Sequence, residues 1–279
     1  MGLRINTNVT ALNAQRRLVG TRLSLDKSLE RLASGQRINS AGDDAAGLAI
    51  SENLKAQVRG FRQAKRNAMD GISLIQVSEG GLNEISNILI RLRELSIQAA
   101  SDTIGDTERQ FVDREFQSLK QEVDRIANIT QFNGTPLLNG RAGIFEIQVG
   151  TGNNPILDRI VYNGERADAS LDALKLGGES VATKQGSQLS LSVIDDALIR
   201  VNSIRADLGA MQNRLQSTIN NLAITDENLS SANSRIRDTD MAEEVSEMTR
   251  GNILMQAGIA VLGQANQTNK AALGLLQNG

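Results

Sequence analysis

From Ile194 to Ile236 the chain places an apolar or small residue at alternating steps of three and four. The positions are Ile194, Ala197, Val201, Ile204, Leu208, Met211, Leu215, Thr218, Leu222, Thr225, Leu229, Ala232 and Ile236. That spacing is the seam of a coiled coil, with Thr as its polar intruder. At about 1.5 Å per residue, a helix over Leu189–Ile236 is a rod of roughly 70 Å. A rod of that length must pack along its side against other long helices, which excludes most compact folds.

The stripe resumes after Arg237-Asp238-Thr239-Asp240. Met241, Val245, Met248, Asn252, Met255, Ile259, Leu262, Asn266, Asn269, Leu273 and Leu276 keep the same steps. Three Asn on this second stripe are read as buried polar residues that set register at a cost in stability. The N-terminal part mirrors it more weakly. Ile5, Val9, Leu12, Val19 and Leu23 begin a stripe that Leu25, Leu29 and Leu32 continue one face over. Gly35 stands where a helix C-cap belongs, and Ser40-Ala41-Gly42-Asp43-Asp44 is a start signal for the next helix. That helix is expected to run to about Ala100. Leu54, Val58, Phe61, Ala68, Ile72 and Ile75 form its first seam, Gly80-Gly81 loosens the register, and Ile85, Leu89, Leu92 and Leu95 resume it. A third helix is expected over Thr107–Asn128, with Phe111, Phe116, Leu119, Val123 and Ile126 on its apolar side.

Turn chemistry is concentrated in the middle. Pro136 and Pro155, with Asn133-Gly134, Asn139-Gly140 and Asn163-Gly164, all lie between about 131 and 184. Phe145, Ile147 and Val149 alternate with Glu146 and Gln148, the period of a half-buried strand, and Ile160 to Tyr162 ends at a turn. The fold class is therefore mainly α: long antiparallel helices, coiled-coil packing of the N- and C-terminal segments, and a small β-hairpin region at 131–184.

A terminal helix pair buries little on its own. Its stripes need partners, and further copies of the chain are the simplest ones, joined head to tail. Ile5, Val9, Leu12, Leu23, Met248, Met255, Ile259, Leu262, Leu273 and Leu276 are the expected polymerisation seam.

Composition narrows the chemistry. With no Cys and no His, the chain has no disulfide, no thiolate nucleophile and no His-based acid–base or zinc site. With 30 basic against 32 acidic residues, net −2, a nucleic-acid or membrane-surface partner is not expected. No run reaches the roughly 18 apolar residues of a membrane span, and the polar start lacks a signal-peptide core. Asp43-Asp44 can be read as a carboxylate site or as a helix start, and the absence of a matched third acid favours the helix start. Gly150-Thr151-Gly152-Asn153-Asn154 lacks the Lys-Ser/Thr of a phosphate loop and reads as a turn. Arg59, Arg62, Lys65 and Arg66, without interleaved aromatics, read as a solvated or subunit-facing surface. No cofactor, metal or catalytic site is expected; a carboxylate-dependent enzyme is the most distant reading.

Several segments carry a family resemblance. Arg4-Ile5-Asn6-Thr7-Asn8 and Leu32-Ala33-Ser34-Gly35-Gln36-Arg37-Ile38-Asn39-Ser40-Ala41-Gly42-Asp43-Asp44-Ala45-Ala46-Gly47-Leu48-Ala49-Ile50 are similar to the N-terminal signature of bacterial flagellin. Arg91-Leu92-Arg93-Glu94-Leu95, Gln131-Phe132-Asn133-Gly134 and Gln264-Ala265-Asn266-Gln267 match it too. The resemblance covers about 1–140 and 185–279, and the 141–184 stretch leaves no room for the large outer domains of many flagellins. It implies a structural subunit of the hollow helical flagellar filament, used for swimming, with 1–43 and 239–279 as an inner terminal-helix coiled-coil domain and 44–238 as an outer helical domain carrying the β-hairpin region. It also implies a secreted, extracellular location reached through the flagellar export channel without a cleaved signal. The implied partners are other flagellin subunits, hook-associated proteins, the filament cap, the export chaperone and the export apparatus. A hook–filament junction protein of the same superfamily is the nearest alternative. The resemblance also implies a contact with the innate sensor Toll-like receptor 5 through Arg91, Leu95 and Glu115. The competing reading makes Leu95 a core residue.

Overall fold

The computed structural model describes residues 7–277, with side chains through Gln267. Five helices carry the described residues: α1 (Val9–Ser34), α2 (Ala45–Ala100), α3 (Asp106–Ile129), α4 (Lys184–Arg237) and α5 (Met241–Gln277). Between α3 and α4 lie two short antiparallel ribbons, β1 (Gln131–Phe132) with β2 (Thr135–Pro136), and β3 (Ile144–Gln148) with β4 (Arg159–Asn163). Two compact units result: residues 1–56 with 228–279, and residues 57–227.

The local signals act where the sequence puts them. Gly35 ends α1 in the left-handed region at φ 69°, a conformation without penalty for glycine, and its N–H reaches the Arg31 carbonyl. Asp44 caps α2, its carboxylate accepting from the Gly47 N–H at 2.8 Å. Asn133-Gly134 makes the two-residue turn between β1 and β2, with both residues at positive φ.

The 57–227 unit is built on α2 and α4 running antiparallel. Arg62 meets Asp226, Arg205 meets Glu79 and Arg93 meets Asp195. Ile194, Ala197, Val201, Ile204, Leu208, Leu215 and Leu222 of α4 are buried as expected. At one turn Ile219 takes the interior in place of Thr218, whose hydroxyl donates to the Arg214 carbonyl. On α2 the seam runs through Ile75, Ser78, Leu82, Ile85, Leu89, Leu92, Ser96 and Ala99 without loosening. The expected loosening at Gly80-Gly81 is therefore corrected: Leu82 carries the register, and the missing side chain at Gly81 admits the β region. A Cβ there would stand 2.6 Å from Thr130 Oγ1 and 2.9 Å from Leu138 Cδ1. Gly71 makes the same room for Ile147.

Phe116 and Val123 of α3 are buried as expected, but Phe111 is 59% exposed and lies under the Arg114 guanidinium. Lys120, by contrast, turns inward and donates to the Gly177 and Glu179 carbonyls at 3.0 and 2.7 Å. In the larger ribbon Phe145 opposes Tyr162 and Ile147 opposes Ile160. Tyr162, the chain's sole tyrosine, is buried and donates to the Leu137 carbonyl at 3.1 Å.

Candidate assembly surface

The 1–56/228–279 unit centres on α1 and α5, whose Cα atoms approach within 8 Å. The pair is antiparallel. Asn8 Nδ2 donates to the Ala265 carbonyl at 3.0 Å near one end, and Arg31 meets Glu244 at 3.5 Å near the other. Between them Leu18 lies against Gly258 and Leu25 against Gly251. The inward face of α5 is Glu244, Met248, Gly251, Met255, Gly258, Leu262 and Ala265, again in steps of four and three. On α1 it is Ala11, Ala14, Leu18, Thr21, Leu25, Ser28 and Leu32. Small residues at alternate steps let the two backbones come close, so the seam is narrow.

This register divides the expected polymerisation residues between the α1–α5 seam and the surface. Met248, Met255 and Leu262 are half-buried in it, as their spacing requires. Asn252, Ile259 and Asn266 are exposed, so these two Asn residues are not buried register pins. Val9, Leu12, Val19 and Leu23 also point outward, at 56%, 51%, 55% and 66% exposure. Ile5 and the side chains of Leu273 and Leu276 lie outside the described residues. The residues that sequence reasoning missed are Gly251, Gly258 and Ala265. Their signal was a small residue every seventh position, invisible to a search for large apolar side chains.

The outward stripe is the unit's main chemical feature. Val9, Leu12, Val19 and Leu23 share one face of α1, and on α5 Val245, Ile253, Leu254, Ile259 and Val261, spread over several faces, are exposed as well. A water-facing apolar array on two helices of one unit is what an association surface requires.

The corner joining α1 to α2 is held by charge. The Lys27 ammonium lies 2.7 Å from the Asp43 carboxylate, which also accepts from the Ser40 N–H at 3.1 Å and the Asn39 N–H at 3.3 Å. Lys27 first, then the backbone donor of Ser40, hold Asp43 well below the usual carboxylate range. Glu52 pairs with Arg237, chiefly for which its pKa is also lowered. Asp43 and Asp44 are thus occupied as a latch and a cap. No helix among the described residues is long and apolar enough to cross a membrane.

The remaining site candidates are placed as follows. Arg91 and Glu115 come together on the surface of the 57–227 unit at 2.9 Å, with Glu94 also 2.9 Å from Arg91. Glu115 first, then Glu94, raise the Arg91 pKa. Leu95 is 1% exposed and belongs to the core. Its expected role as a surface anchor is corrected: although four residues from Arg91, it lies between buried Leu92 and Ala99. In the Gly150–Asn154 turn, the Asn154 N–H is taken by the Asp158 carboxylate at 2.8 Å, and the Gly150 N–H by the Asp158 carbonyl at 3.1 Å. Arg62 of the basic stripe is paired with Asp226.

A helical subunit whose terminal helices pair narrowly and leave an apolar face uncovered is a protein of the self-assembling structural class. The model for the bacterial flagellin N-terminal helical region matches residues 5–142, and that for the C-terminal helical region matches 191–276. The chain belongs to the bacterial flagellin family. It is 46% identical to a flagellin of Halalkalibacterium halodurans, with 98% of this chain and 99% of that one covered. It is 43% identical to a flagellin of Bacillus subtilis, covering 99% and 100%. A flagellar filament 33 kDa core protein of Treponema phagedenis is 41% identical, covering 98% and 99%. Among solved structures, Bacillus cereus flagellin is similar with a TM-score of 0.50 at 31% identity, covering 56% of this chain and 88% of that one. This protein is a structural subunit of a flagellar filament.

Proposed function

We propose that the outward face of α1 and α5, not the seam between them, joins one copy of the chain to the next in a hollow helical tube. The observation that carries this is the exposure of Val9, Leu12, Val19 and Leu23, four apolar side chains turned away from α5. Residues 1–43 with 239–279 then act as the inner wall and 44–238 as the outer layer. The chain works outside the cell after export without a cleaved signal, and it meets hook-associated proteins, the cap, the export chaperone and the export apparatus as the family does. Of the receptor contact, this reading keeps the surface pair Arg91 and Glu115.

The test is Leu12→Asp with Leu23→Asp. Both side chains already face water, so the folded monomer loses little, whereas a charge buried on assembly is costly. Electron microscopy and sedimentation should show monomer only, with Tyr162 still in its native environment. Wild-type filaments from this variant would sink the proposal. Leu262→Asp is a poorer test, because Leu262 is half-buried within the chain and its loss mixes folding with assembly.

A further inference from the structure

Three Asn-Gly dipeptides lie in the β region: Asn133-Gly134, Asn139-Gly140 and Asn163-Gly164. This pairing is chemically labile, because glycine has no side chain to hinder attack by its own backbone nitrogen on the preceding Asn amide. The three sites share that chemistry, but the fold treats them differently.

At Asn163 both reacting groups are held. The Gly164 N–H donates to the Gly143 carbonyl at 2.9 Å, and Gly164 is buried. The Asn163 side-chain oxygen accepts from the Glu165 and Arg166 N–H groups at 3.0 and 3.4 Å. At Asn139 the amide is tethered at both ends, accepting from the Arg141 N–H at 3.1 Å and donating to Asn128 Oδ1 at 3.3 Å. The Asp168 carboxylate also crowds Gly140: a Cβ there would stand 2.6 Å from Asp168 Oδ2. A nearby negative charge opposes deprotonation of the Gly140 N–H.

Asn133 has none of this. Asn133 and Gly134 are both exposed, and among the described residues no hydrogen bond holds the Asn133 amide or the Gly134 N–H. Their turn closes a ribbon whose strands are two residues each, so local opening breaks few bonds.

We propose that Asn133 is a site of spontaneous modification, converted through a cyclic imide to aspartate and isoaspartate while Asn139 and Asn163 are protected by the fold. The Gly134 nitrogen bonds to Cγ of Asn133, the Cγ–Nδ2 bond breaks, and ammonia leaves carrying the proton from the Gly134 nitrogen. Water then opens the ring at either carbonyl. Opening at one restores the normal backbone with a carboxylate side chain. Opening at the other routes the main chain through Cβ and Cγ, adding an atom to the turn and displacing the Phe132–Thr135 pairing. Each event adds one negative charge to an exposed turn, so the folded protein carries a record of its age.

The test incubates the full-length protein at mildly alkaline pH, folded and in denaturant. Peptide mass spectrometry then follows amide-to-acid conversion at each Asn, with fragmentation that separates aspartate from isoaspartate. The readout is the rate in the folded chain divided by that in the unfolded chain. The ratio at Asn133 should exceed those at Asn139 and Asn163 severalfold, with both acid products present. A ratio at Asn133 equal to or below either of the others overturns the proposal.

Discussion

The two units of this chain use the same helical spacing to opposite ends. In residues 57–227, large side chains fill a shared interior: Ile75, Leu82, Ile85, Leu89, Leu92, Phe116 and Leu215 are fully buried. In the unit of 1–56 with 228–279, Leu25, Ile38 and Ala265 are the buried apolar residues among those described. Glycine and alanine make the contact there, and much of the aliphatic surface is left facing water. Apolar area removed from water is the main source of stability, at roughly 25 cal/mol per Å². The 57–227 unit therefore carries its own apolar core, while the other leaves much of its aliphatic surface exposed.

The sharpest way to break that comparison is to truncate one large apolar side chain on each side. Phe116→Ala empties a site with no solvent exposure and should cost about 3–5 kcal/mol. Leu23→Ala removes a side chain 66% exposed and should change monomer stability by less than about 0.5 kcal/mol. Urea unfolding of the monomer, followed by the sole tyrosine and by circular dichroism, reads both. A large loss at Leu23 would mean that α1 is already covered in the monomer.

Next in size is the narrow seam itself. A Cβ at Gly258 would stand 2.6 Å from Leu18 Cδ2. Gly258→Val must push α1 from α5 or force Leu18 aside, at about 1–3 kcal/mol. Hydrogen exchange should show faster opening of α1 and α5 with unchanged protection around Val201 and Leu208. Unchanged exchange in α1 would place the close approach elsewhere.

That seam also marks where the sequence stops being legible. The α4 stripe was readable because most of its inward side chains are large and most of its outward ones polar, Leu189, Ile199 and Ile224 excepted, so apolar spacing and burial largely coincide. On α5 apolar residues lie on several faces. The stripe through Asn252, Ile259 and Asn266 satisfied the same steps as the true seam through Gly251, Gly258 and Ala265. Hydropathy cannot rank two faces when the buried one is chosen for smallness. The same blindness made Gly81 look like a loosening of the register, when it is a socket for Thr130 and Leu138. Lys120 turns inward because a long cation can reach backbone carbonyls inside, an option that no spacing rule displays.

Lys120→Met tests that last point within the larger unit. The substitution keeps the stem and removes the donor, leaving the Gly177 and Glu179 carbonyls short of a partner at about 1–3 kcal/mol. The loss should appear as faster exchange over 176–181 before any global change. A variant as stable as wild type, with unaltered exchange there, would show that water replaces the ammonium freely.

The smallest expected effect lies at the charged corner of the smaller unit, and its direction follows from linkage. In the folded chain Asp43 is held below its ordinary pKa, first by Lys27 and then by the Ser40 N–H. Above the unfolded value of about 3.9, both states are ionised and the latch contributes fully. As pH falls below that value, the unfolded chain takes up the proton first. The contribution is then lost progressively toward the lower folded value. Asp43 is close to solvent and its pair is open to salt, so the change should be modest and should shrink at high ionic strength. Proteolysis or hydrogen exchange over residues 35–44, compared between about pH 5 and pH 3, should show the corner loosening on acidification. In Asp43→Asn this pH dependence should flatten, while the core around Phe116 keeps its own. If the corner loosened equally in both proteins, the acid sensitivity would lie in Glu52 and its pairing with Arg237, and the Lys27–Asp43 contact would be a consequence of the bend rather than one of its causes.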